Sequence, residues 1–452
     1  MSSSSTDSQP LADLQEEITN LPLAVEGTLP NWLKGSYIRN GPVNVAIGTA
    51  KNEHWFDGLA MLHQFTIADG SIWYTNRFLR TDAYQQVFKF HSFHYPGFKT
   101  SYFPSWMEKL ASWLKLTKKK KWSNANQNLI FINKEAIALG EGGFIKFNPT
   151  DLTPIGPSLL DPPSLQQRYS SHPCYDLETG EFFNCGLELS SSPSYLICKW
   201  KKGCSPQVVV RLAAQPLAYM HSFALTKNYY ILTESPLVAV KPFDPTHPFI
   251  DHFTWQTQKK SRFLVIDRRT GALMGRYPTV PFFSFHHVNA FEEEGKIFLD
   301  LICYYDAKII ERMKNHGRAT SESENYSISQ LVRFSLPLKT KEVTTNILFK
   351  EFHELPSFHP MLSGQKYRYL YLCDSRDTLF LNEKRPLYKL DLQTKKSLVW
   401  QQEGCYPGEP FFVPANELEC EEEGVVISLV ADAKNYSSFL LILNAKTFQE
   451  IA

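Results

Sequence analysis

Leu264-Val-Ile-Asp-Arg-Arg-Thr-Gly271 reads as an apolar strand running into a polar turn, and the same phrase returns along the chain. It stands at Phe65-Thr-Ile-Ala-Asp-Gly-Ser-Ile-Trp73, Ile145-Lys-Phe-Asn-Pro-Thr-Asp-Leu152 and Leu196-Ile-Cys-Lys-Trp-Lys-Lys-Gly203. It stands again at Val332-Arg-Phe-Ser-Leu-Pro-Leu-Lys339, Tyr388-Lys-Leu-Asp-Leu-Gln-Thr-Lys395 and Leu441-Ile-Leu-Asn-Ala-Lys-Thr-Phe448. These seven units recur every roughly 50 to 80 residues, somewhat longer than the usual propeller repeat. Self-similarity at such a period points to small antiparallel sheets arranged radially, an arrangement that leaves only short, protected edges. Between the units lie short strands punctuated by Gly, Pro, Asn and Asp, with little long helical periodicity. The sequence thus predicts an all-β fold, a seven-bladed β-propeller with long loops. A large sandwich with coincidental hairpins is the competing reading, since evenly spaced strands suit both.

With 452 residues, 43% apolar and 14% aromatic, the chain can bury a large core, and closed all-β folds commonly run long as one domain. A net charge of +1 provides no basic field to attract nucleic acid. The eight cysteines form no C-x-x-C pair or framework spacing and read as reduced thiols of a cytosolic-type compartment. Residues 1–20, Ser-rich and acidic, are expected to be a disordered lead-in, with 21–452 forming a single propeller domain. The start lacks the apolar run of a signal peptide, and no window has the about 18 unbroken apolar residues of a membrane span. The expected location is cytoplasmic, with attachment to at most one membrane leaflet.

If the first strand of each blade lines the axis, a ligand set should take one residue per blade. Between successive units lie Ser171-His172-Pro173, Tyr219-Met220-His221 and Phe285-His286, then Glu354-Leu-Pro356 and Pro407-Gly-Glu409-Pro410. Converging imidazoles bind a first-row transition metal, and carboxylates behind them accept the other ring N–H and fix the tautomer. Glu354 and Glu409 suit that supporting role, as does Glu141 in Leu139-Gly-Glu-Gly-Gly143. His286 lies among aromatic residues in Pro281-Phe-Phe-Ser-Phe-His-His-Val-Asn289, a dry wall that favours a neutral ring; its plainer reading is a core histidine satisfied by a backbone carbonyl. His287 should point to the opposite face of the strand, and His54, His63, His353 and His359 read as structural or loop residues. Spacing alone does not name the metal. Zinc on three histidines would fit, as would iron on two histidines and one of the glutamates.

In order along nearly the whole chain, Gly35-Ser-Tyr-Ile-Arg-Asn-Gly-Pro42, Trp55-Phe-Asp-Gly58, Glu141-Gly-Gly, His172-Pro, Met220-His221, Phe285-His-His-Val-Asn289, Glu354-Leu-Pro356 and Gly408-Glu-Pro410 resemble the motifs of the carotenoid cleavage oxygenase family. Asn76-Arg-Phe-Leu-Arg-Thr-Asp-Ala-Tyr84 and the Phe-His-His-Val-Asn box look most like its animal-type branch, which contains β-carotene oxygenases and the retinoid isomerohydrolase. The resemblance implies a propeller holding ferrous iron, Fe(2+), on four histidines, three of them backed by glutamates. It carries over as His172, His221 and His286 for the metal, with Glu141, Glu354 and Glu409 behind them. The family's fourth histidine lies in a closing Phe-His-Gly motif beyond the seventh hairpin, and this sequence ends at Ala452 ahead of it. The activity implied by the resemblance is dioxygen-dependent scission of a conjugated C=C bond of a carotenoid or apocarotenoid to two carbonyl products. Stilbene cleavage, retinyl-ester isomerohydrolysis and non-catalytic retinoid binding are the alternatives. In the stilbene-cleaving branch a lysine precedes the first supporting glutamate; Gly140 holds that position here, which counts against stilbene cleavage.

Polyenes partition into lipid, so a route from the bilayer is expected. In Ser105 to Lys121, Trp106, Leu110, Trp113 and Leu114 share one helical face, while Lys109, Lys115 and Lys118 to Lys121 supply cations for anionic headgroups. This predicts a short helical insertion lying Trp side down on the membrane surface, in a place resembling that of the animal-type branch's membrane-binding segment. An ordinary helix packed on the propeller has the same pattern.

Overall fold

The computed structural model describes the chain except residues 1–15, 44–51, 92, 94, 103–105, 107–122, 133, 141–142, 165, 202, 316–327, 351–352, 375–384 and 416–419. Seven antiparallel sheets succeed one another as blades of a β-propeller, at residues 21–78, 128–157, 167–213, 224–279, 287–350, 353–400 and 405–444. A two-stranded ribbon, Leu237–Ala239 with Phe253–Trp255, is inserted within blade 4. The first strands face the hub: Gly35–Val43 adjoins Asn128–Ile132, and Ala224–Leu225 adjoins both Cys174–Asp176 and His287–Glu293.

Local chemistry makes the repeat. In blade 4 the Asp267 carboxylate accepts from Thr270 N at 2.7 Å, while Gly271 N donates to Asp267 O at 2.9 Å with Gly271 at φ +70°. Asn148, Asp391 and Asn444 form the same turn, each with the residue four positions on (Leu152, Lys395, Phe448) in the left-handed region. A short acceptor side chain that captures the next N–H groups reverses the chain without help from tertiary structure. Six of the seven predicted units fall at the turn between a blade's third and fourth strands. The exception, Phe65–Trp73, joins the second and third strands of blade 1. That blade takes its outermost strand, Leu21–Leu23, from the preceding part of the chain.

Strands of the inner blades are apolar on both faces, because each sheet packs against two neighbours. The core is accordingly a ring of clusters between blades: Ile231, Phe263, Leu299 and Phe334 join blades 4 and 5, and Tyr371, Trp400, Phe412 and Val426 join 6 and 7. Blades 7 and 1 close the ring through Ile427, Ile442, Tyr37 and Phe65. Each fully buried side chain of this kind contributes about 1.5–3 kcal/mol. Thr28 N donates to Ile451 O at 2.9 Å beside this closure. Glycine is required at 27, at φ +100°, because a Cβ would lie 2.3 Å from Ile451 O. Within the expected lead-in, Ile18 N donates to Asn76 Oδ1 at 2.6 Å and Asn20 N to Thr75 Oγ1 at 3.0 Å, which lays Ile18 to Asn20 against blade 1.

All eight cysteines are free thiols. Trp106 is helical and 72% exposed, whereas Leu110, Trp113 and Leu114 lie outside the described residues. Among the described residues no helix is long and apolar enough to cross a membrane.

Candidate metal centre

The hub-facing strands of blades 3 to 7 are interrupted, and the residues of interest sit at or beside the interruptions. In blade 3, Gln167–Tyr169 and Cys174–Asp176 pair with one neighbour strand on either side of His172. Before blade 4, Ala218 bridges Val238 of the inserted ribbon, and the blade's own hub strand starts at Ala224, past His221; blade 5 is bridged at Phe283 and resumes at His287, past His286. The register of blade 6 slips between Glu354 and Ser357, and blade 7 breaks between Pro407 and Phe411, around Glu409. Pro173, Pro356 and Pro410 lie close behind in three of these breaks, and proline has no N–H for the ladder. Released from strand alternation, a side chain at a break can be re-aimed.

Three imidazoles meet there. Nitrogen donors of His172, His221 and His286 all lie within 4.8 Å of one another, and the ring centroids are 4.6, 5.0 and 5.2 Å apart. Two ligands opposite each other on one ion at about 2.1 Å would span about 4 Å, so the rings are nearly at ligating separation. His286 Nδ1 is 2.6 Å from Glu354 Oε2, which leaves Nε2 as its donor toward the cluster. Glu354 is held in turn by the Tyr304 hydroxyl on Oε1 at 2.7 Å and by Leu355 N on Oε2 at 3.1 Å. The Tyr219 hydroxyl is 3.1 Å from His221 Nδ1. Ser170 ties the His172 and His221 segments together, accepting from His172 N at 2.9 Å and donating to His221 O.

Burial and the two neighbouring imidazoles push the His172 pKa well below its ordinary value, so this ring is neutral with a lone pair available. Burial also acts to lower the His286 pKa, but the Glu354 carboxylate outweighs it and the net direction is upward. For Glu354 burial favours the neutral acid, and His286, Tyr304 and Leu355 N–H together bring the pKa below the ordinary value. Imidazole nitrogen donors in an aromatic setting suit a first-row transition metal. Phe285 packs at 5.3 Å from the His221 ring, with Phe283 and Tyr304 beside it and Tyr219 stacked beyond.

Of the predicted residues, His172, His221, His286 and Glu354 are brought together. Glu409 is engaged by Arg39 of blade 1 at 2.6 Å. Glu141 lies outside the described residues. His287 points away, between the hydroxyls of Ser222 and Thr233 at 2.8 Å each, and burial lowers its pKa to about 3. His54 contacts Met313 O at 2.8 Å and His63 the Tyr74 hydroxyl at 2.7 Å; His359 caps a 3-10 turn, accepting from Met361 N, and His353 is buried in a strand. Sequence reasoning missed Ser170, Tyr219 and Tyr304. Ser170 and Tyr219 lie two residues from His172 and His221, but Tyr304 is 50 residues from Glu354 and carried no local signal.

Fold and site define a class: a seven-bladed propeller with a tri-histidine cluster at its hub. The chain belongs to the RPE65 family, described as Retinal pigment epithelial membrane protein, which it matches over residues 11–452. It is 30% identical to the Beta,beta-carotene 15,15'-dioxygenase of Homo sapiens, over 97% of this chain and 90% of that protein. It is also 30% identical to the Carotenoid isomerooxygenase of Galleria mellonella, over 98% and 92%. Among solved structures it superposes on cobalt-substituted Synechocystis ACO with a TM-score of 0.82 at 25% identity, covering 98% of this chain and 94% of that one. An ACO/RPE65 chimera gives 0.81 at 26% identity with the same coverage.

Proposed function

We propose that this chain is a non-haem Fe(2+)-dependent oxygenase that cleaves one conjugated C=C bond of a carotenoid or apocarotenoid to two carbonyl products. The observation that carries the reading is the convergence of His172, His221 and His286, with Glu354 behind one of them, in a member of a family whose relatives include named carotene dioxygenases. The reaction balances as one dioxygen added across one C=C bond, and calls for no side-chain acid or base. Bound ferrous iron would supply the oxygen chemistry that no side chain here can. His172, His221 and His286 would hold it. Glu354 fixes the His286 tautomer with its proton on Nδ1. Phe285, half-buried against the His221 ring and backed by Phe283, Tyr304 and Tyr219, would offer a flat apolar surface to an extended polyene.

Peripheral attachment to a membrane through residues 105–121 belongs to the same reading, supported by the exposure of Trp106 and by the lysines that come after it in sequence. The test of function is incubation of anaerobically iron-loaded protein with β-carotene, an apocarotenal and resveratrol in air, with products separated by chromatography. Aldehydes from the polyenes alone are the expected result. Cleavage of resveratrol alone would assign a stilbene-cleaving enzyme, and no cleavage by iron-replete protein would contradict the oxygenase reading and leave retinyl-ester isomerohydrolysis and non-catalytic retinoid binding.

A further inference from the structure

Tyr304 ends the strand Lys296–Tyr304 and is 3% exposed. Its main chain is tied to the His286 segment, since Tyr304 N donates to Phe283 O at 2.8 Å and Tyr304 O accepts from Phe283 N at 2.9 Å. Its side chain reaches instead to blade 6, donating to Glu354 Oε1 at 2.7 Å. The other carboxylate oxygen receives His286 Nδ1 at 2.6 Å and Leu355 N at 3.1 Å. A buried carboxylate needs donors on both oxygens, and fixing both fixes its plane. That plane sets the direction from which His286 is gripped, and with it the aim of His286 Nε2.

We propose that the Tyr304 hydroxyl is a positioning group for the His286 donor, acting through Glu354 across the junction of blades 5 and 6. It rests on the reading of the three histidines as a metal site. The phenol has two separable parts. Its ring stands 6.1 Å from Phe285 and 6.4 Å from Phe283, in the aromatic wall, while its oxygen reaches Glu354. Tyr304→Phe therefore keeps the wall and removes the support. Loss of that donor leaves Glu354 Oε1 unsatisfied in a buried site, which weakens the carboxylate as an acceptor for the imidazole N–H. Partners behind a metal-bound histidine alter metal affinity by roughly 10–100-fold, and a group one bond further out should act at the lower end of that range.

The experiment loads the full chain with Co(2+) under anaerobic conditions, measures affinity by chelator competition, and records the visible spectrum of the bound ion. Tyr304→Phe is expected to lose roughly tenfold in affinity with shifted cobalt bands, while KM of the iron-loaded enzyme for an apocarotenal stays within about twofold because the ring remains. In a Glu354→Gln background the same substitution should add nothing, because its effect runs through the carboxylate. Tyr305→Phe, at the 87% exposed neighbour, is the control. Unchanged affinity and spectrum in Tyr304→Phe, or an undiminished further loss in the Glu354→Gln background, overturns the positioning role alone. A wild-type chain that takes up no cobalt overturns the metal reading along with it.

Discussion

At the scale of the residue, what distinguishes the two adjacent histidines of Phe285-His286-His287 is the hydrogen-bond partner each finds. His287 is held between two hydroxyls, whereas His286 gives one nitrogen to a carboxylate and keeps the other for the cluster. Replacing Glu354 by Gln retains a hydrogen-bonding group and removes the charge. Metal affinity, read by chelator competition, is expected to fall by about 10–100-fold with the far-UV circular dichroism spectrum unchanged. Equal affinity in the variant would mean that the carboxylate does not support the ligand. That Glu354 could stand behind a histidine was legible in the sequence, because it sits at a marked spot, a Glu-Leu-Pro turn; which histidine it meets was not. Tyr304 was not, because its partner is chosen by how two blades meet, which no local pattern encodes.

Elements interact here mainly blade against blade. Asp176, on the hub strand of blade 3, forms an ion pair with Arg268, which extends from the turn of blade 4 and also donates to Thr226 O at 2.7 Å. The guanidinium lies over the rings of Phe183 and Tyr230, 5.1 and 5.3 Å from their centroids. Burial acts to raise the Asp176 pKa, but Arg268, Thr179 and Glu178 N–H outweigh it and hold the carboxyl below its ordinary value. A depressed carboxylate pKa contributes stability above the unfolded value of about 3.9, and that stability is lost as pH falls through the lower folded value. Asp176→Asn is therefore expected to lower unfolding free energy by about 2 kcal/mol at pH 7, measured by urea denaturation, with the difference from wild type narrowing below about pH 4. A constant difference at all pH values would show that the charge is not what matters. Four of the strand-turn units were legible in sequence because an Asx residue and its captured N–H groups are contiguous. The interruptions of the hub strands were less so: proline marks three of them, but nothing local marks those at His221 and His286.

For the whole molecule, the count of repeated units matches the blade number, and the ring closure it implies is seen in the cluster between blades 7 and 1 and in the hydrogen bond from Thr28 N to Ile451 O. What the period did not carry is which segment closes blade 1, because an outermost strand of three residues has too little pattern to be read alone. Approach of the molecule to a lipid surface is a property of the same scale. Replacing Trp106 and Trp113 together by Ser is expected to reduce co-flotation with anionic liposomes several-fold, since two buried indoles dominate such binding. Unchanged flotation would instead indicate a helix packed on the propeller.

The most direct test of a metal-holding hub is iron stoichiometry after anaerobic ferrous loading and desalting, compared between wild type and His286→Ala of matched circular dichroism. Wild type should retain close to one iron per chain and the variant far less. Equal retention in the two, or none in either, would contradict the account.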